Sequence, residues 1–282
     1  MRRAWILTAA FAAGAVIASA QAPLTPLQVL QRAIQRDHAD SIAQQQYAWH
    51  ERDIVTEIGR KDRPGKVESD ETDDVSEVDG IEYDRIIARD GKPLSPKQAA
   101  KEARKAAAFI RKHNNPKVEA KDLAEQAKER RESRKLIDTF AEAFHLAFTP
   151  PSVPAPCNCW GITLAPRKRF HTRDHNLDLL HHVRGTLWIS RQNFGMEQAN
   201  FLVLQTLSLG WVLARIEKGS TFEFKNNLVD GHWFGQSLTG TVNARVLLVK
   251  PYHLLLDDTY TDYRRFGVSS RVIAQAPVSH PR

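Results

Sequence analysis

Cysteine is almost missing from this chain: 282 residues contain two, Cys157 and Cys159, too few to staple a disulfide scaffold. Aromatic residues are also sparse at 8%, while charged residues reach 26%. That composition excludes a multi-span membrane protein and wholesale disorder. Catalytic signatures are absent too. Gly235-Gln236-Ser237-Leu238-Thr239-Gly240 has the wrong spacing for a nucleophile elbow, and no H-E-x-x-H, phosphate loop or dinucleotide fingerprint occurs. No repeat of fixed period emerges. Nothing here proposes a particular reaction, so the expectation is a non-enzyme without cofactor or metal.

What is present begins with an export signal over 1–22. Arg2 and Arg3 give the positive start, Ala4 to Ala18 a short apolar run, and Ala18-Ser19-Ala20 a small-x-small cleavage site. The run is too short for a permanent span, and no cysteine near the cleavage point offers a lipid attachment site. Cleavage takes the formal charge from +7 to +5 by removing Arg2 and Arg3. The expected location is the periplasm, with secretion the other destination. A mild basic excess there points to anionic lipid or another acidic surface, not nucleic acid.

Residues 23–282 read as one domain. Leu27, Leu30, Ile34, His38 and Ile42 form a helical stripe, started by Thr25 as cap and Pro26. Asp79-Gly80, between Val67 to Val78 and Ile81 to Arg89, predicts a β-hairpin. Ser95 and Pro96 open a charged helical hairpin inserted over 95–137, broken near Asn115-Pro116. Phe144, Leu146 and Phe148 then alternate as a strand does. From Trp160 onward, strand-like runs separated by Gly, Asn, Asp and Pro predict a meander of consecutive antiparallel neighbours. Phe201 to Leu204, Val246 to Val249 and Leu254 to Leu256 are apolar in unbroken runs, so both sheet faces need covers.

Two clusters carry possible chemistry. Cys157, Cys159, His171 and His175 offer two thiolates and two imidazoles to zinc, against a disulfide or a pair of inert loop thiols. Arg167, Lys168, Arg169, Arg173 and Arg184, with four histidines, make the most basic stretch, a solvated loop or a site for anionic head groups.

The order of elements, with Val78-Asp79-Gly80-Ile81-Glu82-Tyr83-Asp84-Arg85, Asp90-Gly91-Lys92-Pro93-Leu94-Ser95, Gly185-Thr186-Leu187-Trp188-Ile189-Ser190 and Tyr260-Thr261-Asp262-Tyr263-Arg264-Arg265-Phe266, resembles the LolA-like outer-membrane lipoprotein-sorting superfamily and its exported bacterial relatives. The resemblance implies an α+β fold: a strongly curved antiparallel sheet forming an unclosed β-barrel, with the N-terminal helix on its concave face. It also implies an apolar cavity for acyl chains and no catalytic residues. The charged hairpin departs from those carriers.

The leading expectation is a binding module for lipid or lipidated protein, touching membranes peripherally, with Trp188, Phe201, Val203, Phe222, Phe224, Leu247 and Val249 lining the groove. The alternative is an envelope scaffold that docks a partner protein through 95–137 and has no ligand cavity.

Overall fold

The computed structural model describes residues 23–59, 63–78, 80–208, 214–246 and 250–266. The expected export signal over 1–22, Leu247, Val249 and the residues after 266 lie outside them. Among the described residues, no helix is long and apolar enough to cross a membrane.

Helix α1 (Pro26–Gln44) starts as its sequence dictates. Thr25 accepts from the Gln28 backbone N–H while Gln28 reaches back to the Thr25 N–H at 2.9 Å, with Pro26 in the first turn. Its buried edge is Val29, Leu30 and Ala33, and this corrects the expected stripe: Leu27 and Ile42 are exposed. Polar contacts set the rotation. Asp40, only 3% exposed, accepts from Arg36 at 2.8 Å and pairs with His232 at 2.9 Å. Arg36 also donates to the Gly231 carbonyl, Gln44 to the Trp233 carbonyl, and Tyr47 to Asp230. All of these receivers sit at or beside the turn that joins Thr221–Val229 to His232–Val246, where Asp230 and Gly231 take φ of 50° and 81°, the left-handed pair a tight hairpin needs.

The strands are β1 (Tyr47–Ile58), β2 (Pro64–Val78), β3 (Ile81–Arg89), β4 (Lys92–Pro93), β5 (Phe144–Phe148), β6 (Cys159–Pro166), β7 (Val183–Ser190), β8 (Met196–Val203), β9 (Leu207–Ser208), β10 (Ala214–Ile216), β11 (Thr221–Val229), β12 (His232–Val246) and β13 (Lys250–Arg265). They form one antiparallel sheet in the order β4-β3-β2-β1-β13-β12-β11-β8-β7-β6-β5. β4 and β5 stand at opposite ends of that order, so the sheet is not closed. The α+β class stands.

Pairing departs from consecutive order in several places, two of which matter for the site. β8 skips β9 and β10 to pair with β11, where the Lys218-Gly219 turn returns the chain against Val203: Val203 donates to the Ser220 carbonyl and Gly219 donates to the Val203 carbonyl, each at 2.9 Å. β13 closes back on β1, a segment whose mixed charges hid its strand character.

Between β4 and β5 run α2 (Pro96–His113), α3 (Pro116–Asp138) and the short α4 (Phe140–Ala143); α5 (His175–Asp178) follows β6. Ser95 caps α2 with the same reciprocal Gln98 box as Thr25 in α1. Asp122 ties the two long helices together, accepting from Lys112 at 3.0 Å and His113 at 2.8 Å. None of α3's side chains is fully buried, and its links to the body include Arg130 with Glu77 and Lys135 with Asp174.

The core lies where α1 and α4 meet β5 to β8. Val29, Phe144, Ile162 and Ile189 are wholly buried there, with Leu30, Leu164, Leu180 and Val203 nearly so. Each such side chain contributes on the order of 1.5–3 kcal/mol of burial free energy, which makes this half the anchor of the fold.

Candidate functional site

Residues directly opposed across antiparallel strands point to the same face, so the register can be followed as rows across the sheet. One row reads Ile162, Leu187, Ala199, Phe224, Leu238, Asp258, Asp53, Glu71. The next reads Leu164, Gly185, Phe201, Phe222, Gly240, Leu256, Val55, Ser69. Both lie on the face that α1 covers, since Ile162, Leu164 and Leu187 pack in its core. Along both rows a packed core gives way to a partly exposed apolar strip of Phe224, Leu238, Leu256 and Val55; the first row then ends in the carboxylates Asp258, Asp53 and Glu71, and the second in Ser69.

Glycine makes room in the second row. A Cβ at Gly185 would meet the Phe201 ring at 2.7 Å and the Asn200 carbonyl at 2.6 Å, so the ring lies over the glycine backbone.

The acidic end carries Glu51 and Asp53 from β1, Asp73 from β2, Asp84 from β3 and Asp258 from β13. Burial pushes Glu51 up to about 7, helped by Asp53 and Asp84. Burial likewise raises Asp73 and Asp258 to about 6, with Asp84, Glu71 and Asp53 repelling the first, and Asp53 and Asp257 the second. Asp53 and Asp84 are raised for the same leading reason. Among the described residues, no cation is a leading influence on any of the five. Asp53 and Asp73 each bury one carboxylate oxygen that has no hydrogen-bond partner.

Trp49, Tyr260 and Tyr263 border this tract and, with Phe234, Gly235 and Gln44, line a cleft of about 170 Å³. The Trp49 indole approaches the Glu51 carboxylate at 3.5 Å. Burial, then the Glu51 charge, raises both tyrosine hydroxyls, so they stay protonated as donors.

The other face of the same strands is built differently. Arg52 holds Asp70 by two hydrogen bonds of 2.8 and 2.9 Å, and the Asp70 carboxyl falls below its ordinary value because of them. Burial works against Asp74, but Arg85 at 2.7 Å and Arg264 at 2.5 Å outweigh it and hold its carboxyl low. Farther along, that face has a groove of about 790 Å³ between two rows: Thr163, Thr186, Asn200, Glu223 and Thr239 on one wall, Arg184, Leu202, Thr221, Thr241 and Leu255 on the other. Leu202 and Leu255 are the outward members of the doubly apolar strands read from the sequence.

The groove candidates separate. Val203 and Trp188 are buried, and Phe201 and Phe222 pack against the core. Phe224, 37% exposed, faces the strip. Leu247 and Val249 fall outside the described residues. Of these candidates, Val203 belongs to the core cluster beneath α1, with Phe201 and Phe222 packed against it.

The basic candidates do not converge either. Arg167 spends its guanidinium on the Phe144 carbonyl at 2.8 Å, Arg184 lines the opposite groove, and Lys168, Arg169 and Arg173 are exposed. Cys157 and Cys159 are bonded to each other, which removes the thiolates a zinc site with His171 and His175 required.

Sequence reasoning missed the carboxylate tract. Its signal was present in Glu71, Asp73 and Val75 at alternate positions, a strand with acids on its inward side, but the charge density of Pro64–Val78 reads as solvated.

No family model and no curated protein matches this chain. Among solved structures it is similar to a domain named for outer membrane lipoprotein sorting from Vibrio parahaemolyticus, at 7% identity and a TM-score of 0.36, covering 84% of this chain and 93% of that one. It is also similar to MucB, solved in complex with MucA(peri), at 11% identity and a TM-score of 0.23, covering 83% of this chain and 99% of that one.

Proposed function

We propose that this chain is an exported, non-catalytic binding module that takes up the apolar part of a lipid or lipidated protein along Phe224, Leu238, Leu256 and Val55. One observation carries the reading: the cross-strand row that leaves the packed core continues as partly exposed apolar side chains on the same face. A solvent-facing phenylalanine adjoining a filled core costs hydration free energy that a hydrocarbon chain would recover. The export signal supports a periplasmic setting, and the lack of any catalytic motif supports binding without chemistry.

Native mass spectrometry of gently purified protein, with displacement of a fluorescent fatty acid, tests the reading. Bound acyl species are expected, and Phe224→Ser should weaken the probe about tenfold, the worth of part of one aromatic side chain. Absence of both lipid and probe binding overturns it.

A second reading, an envelope scaffold docking through α2 and α3, draws on α3, a charged helix none of whose side chains is fully buried. Deleting 95–137 should then abolish partner capture while leaving probe binding intact.

A further inference from the structure

The carboxylate tract poses a problem that the apolar strip does not. Directly opposed like charges on neighbouring strands are destabilising, yet Asp258 faces Asp53, and Glu51 faces Asp73. The surrounding elements do not relieve them. From β3, Arg89 is engaged with Glu71 at 3.1 Å, and Glu82 adds charge of the same sign. From α2, Glu102 brings another carboxylate and holds Lys105 at 2.8 Å. Arg130 of α3 is occupied by Glu77 at 2.5 Å. On β13, Asp257 adds to the repulsion, and Tyr260 and Tyr263 stay neutral. Each of these nearby cations already has a carboxylate.

Two further features suit an incoming cation. Asp53 and Asp73 keep buried oxygens without donors. Trp49, Tyr260 and Tyr263 present aromatic rings beside the tract, surfaces to which Lys and Arg side chains bind. On the opposite side of these strands the protein supplies its own arginines to Asp70 and Asp74, so the missing cations are confined to one face.

Resting on the binding reading above, we propose that this sheet face docks a polypeptide segment bearing Lys or Arg, whose charged side chains occupy the tract formed by Glu51, Asp53, Asp73, Asp84 and Asp258 while its apolar portion lies on the adjoining strip. The argument is charge complementarity on a face whose acids lack cations. Protons compete with such a ligand, because the same carboxylates hold protons unusually well: as pH falls through about 7 and then about 6, Glu51, Asp73 and Asp258 take up protons and let the cation go. The module thereby distinguishes a cationic polypeptide cargo from a bare lipid and releases it on acidification.

The test uses the full chain and three probes followed by fluorescence anisotropy: a short acylated Lys-rich peptide, its acylated Glu-rich counterpart, and a free fatty acid. At about pH 8 the Lys peptide should bind at least tenfold more tightly than the Glu peptide, and at about pH 5 the preference should shrink to a few-fold. The triple variant Glu51→Gln, Asp73→Asn, Asp258→Asn should lose the preference at about pH 8 while fatty acid binding is unchanged, which also shows that it is folded.

Equal binding of both peptides at about pH 8, with fatty acid still bound, overturns the cation site and leaves the apolar strip standing. A Lys preference without any fatty acid binding keeps the cation site and overturns the lipid reading. A preference that persists in the triple variant places the cation elsewhere and overturns the assignment. Failure of all three probes overturns both proposals.

Discussion

The two ends of the sheet's α1-side face are built from the same strand geometry and opposite chemistry. At β5 to β8 every inward position that matters is apolar and sealed by α1 and α4, with Phe144 and Ile162 at 0% exposure. At β1 to β3 and β13 the inward positions include carboxylates held against their own charge. The first end is arranged for stability, whereas the second spends stability. Proteins keep such costs where a function needs them, and this contrast directs attention to β1 to β3 and β13.

The contrast can be broken at its packed end first. Phe144→Ala opens a cavity in contact with Phe140 and should cost about 3–5 kcal/mol, the largest single effect expected, read from urea unfolding. At the acidic end the sign reverses. A carboxylate whose folded pKa lies above its unfolded one contributes stability that is full below the unfolded value, here 4.5 or 3.8, and is lost as pH rises through about 6 to 7.

Replacing Glu51, Asp73 and Asp258 by their amides should therefore raise stability by about 2 kcal/mol at about pH 8, after allowance for solvent screening, and by little near about pH 4. The acids on the other face run oppositely. Asp70 and Asp74 sit below 3.8, so their contribution is present above that value and disappears as pH falls through their folded pKa. A melting temperature highest between about pH 4 and about pH 6 is the combined expectation. The smallest effect should come from Arg264→Ala, which removes one partly exposed partner of Asp74 but leaves Arg85, costing about 0.5 kcal/mol at neutral pH by thermal unfolding.

Legibility from sequence followed how local the determinants were. Both long-helix starts were readable because Thr25-Pro26 and Ser95-Pro96 satisfy backbone groups within three residues. The β2–β3 hairpin was readable for the same reason. The rotation of α1 was not, since it depends on Asp40 meeting His232 from a distant turn, and an aspartate on a helix normally signals solvent. Phe224 stood out as a large apolar residue in a strand, but Phe201 and Phe222 look alike in sequence and differ only in what packs on them. The carboxylate tract eluded single-segment reading because it arises from four strands in register, one of which, β13, is distant in the chain from β1, β2 and β3. No periodicity within one strand records what lies across from it.

An unclosed sheet must also end somewhere, and its two borders are short. On one side β4 is a two-residue strand containing Pro93, which lacks the backbone donor that strand pairing requires. On the other, β5 runs five residues before Thr149 leads into Pro150-Pro151. A second molecule seeking to extend the ribbon meets little template at either border, so the sheet can stay unclosed without inviting its own copies to stack into fibres.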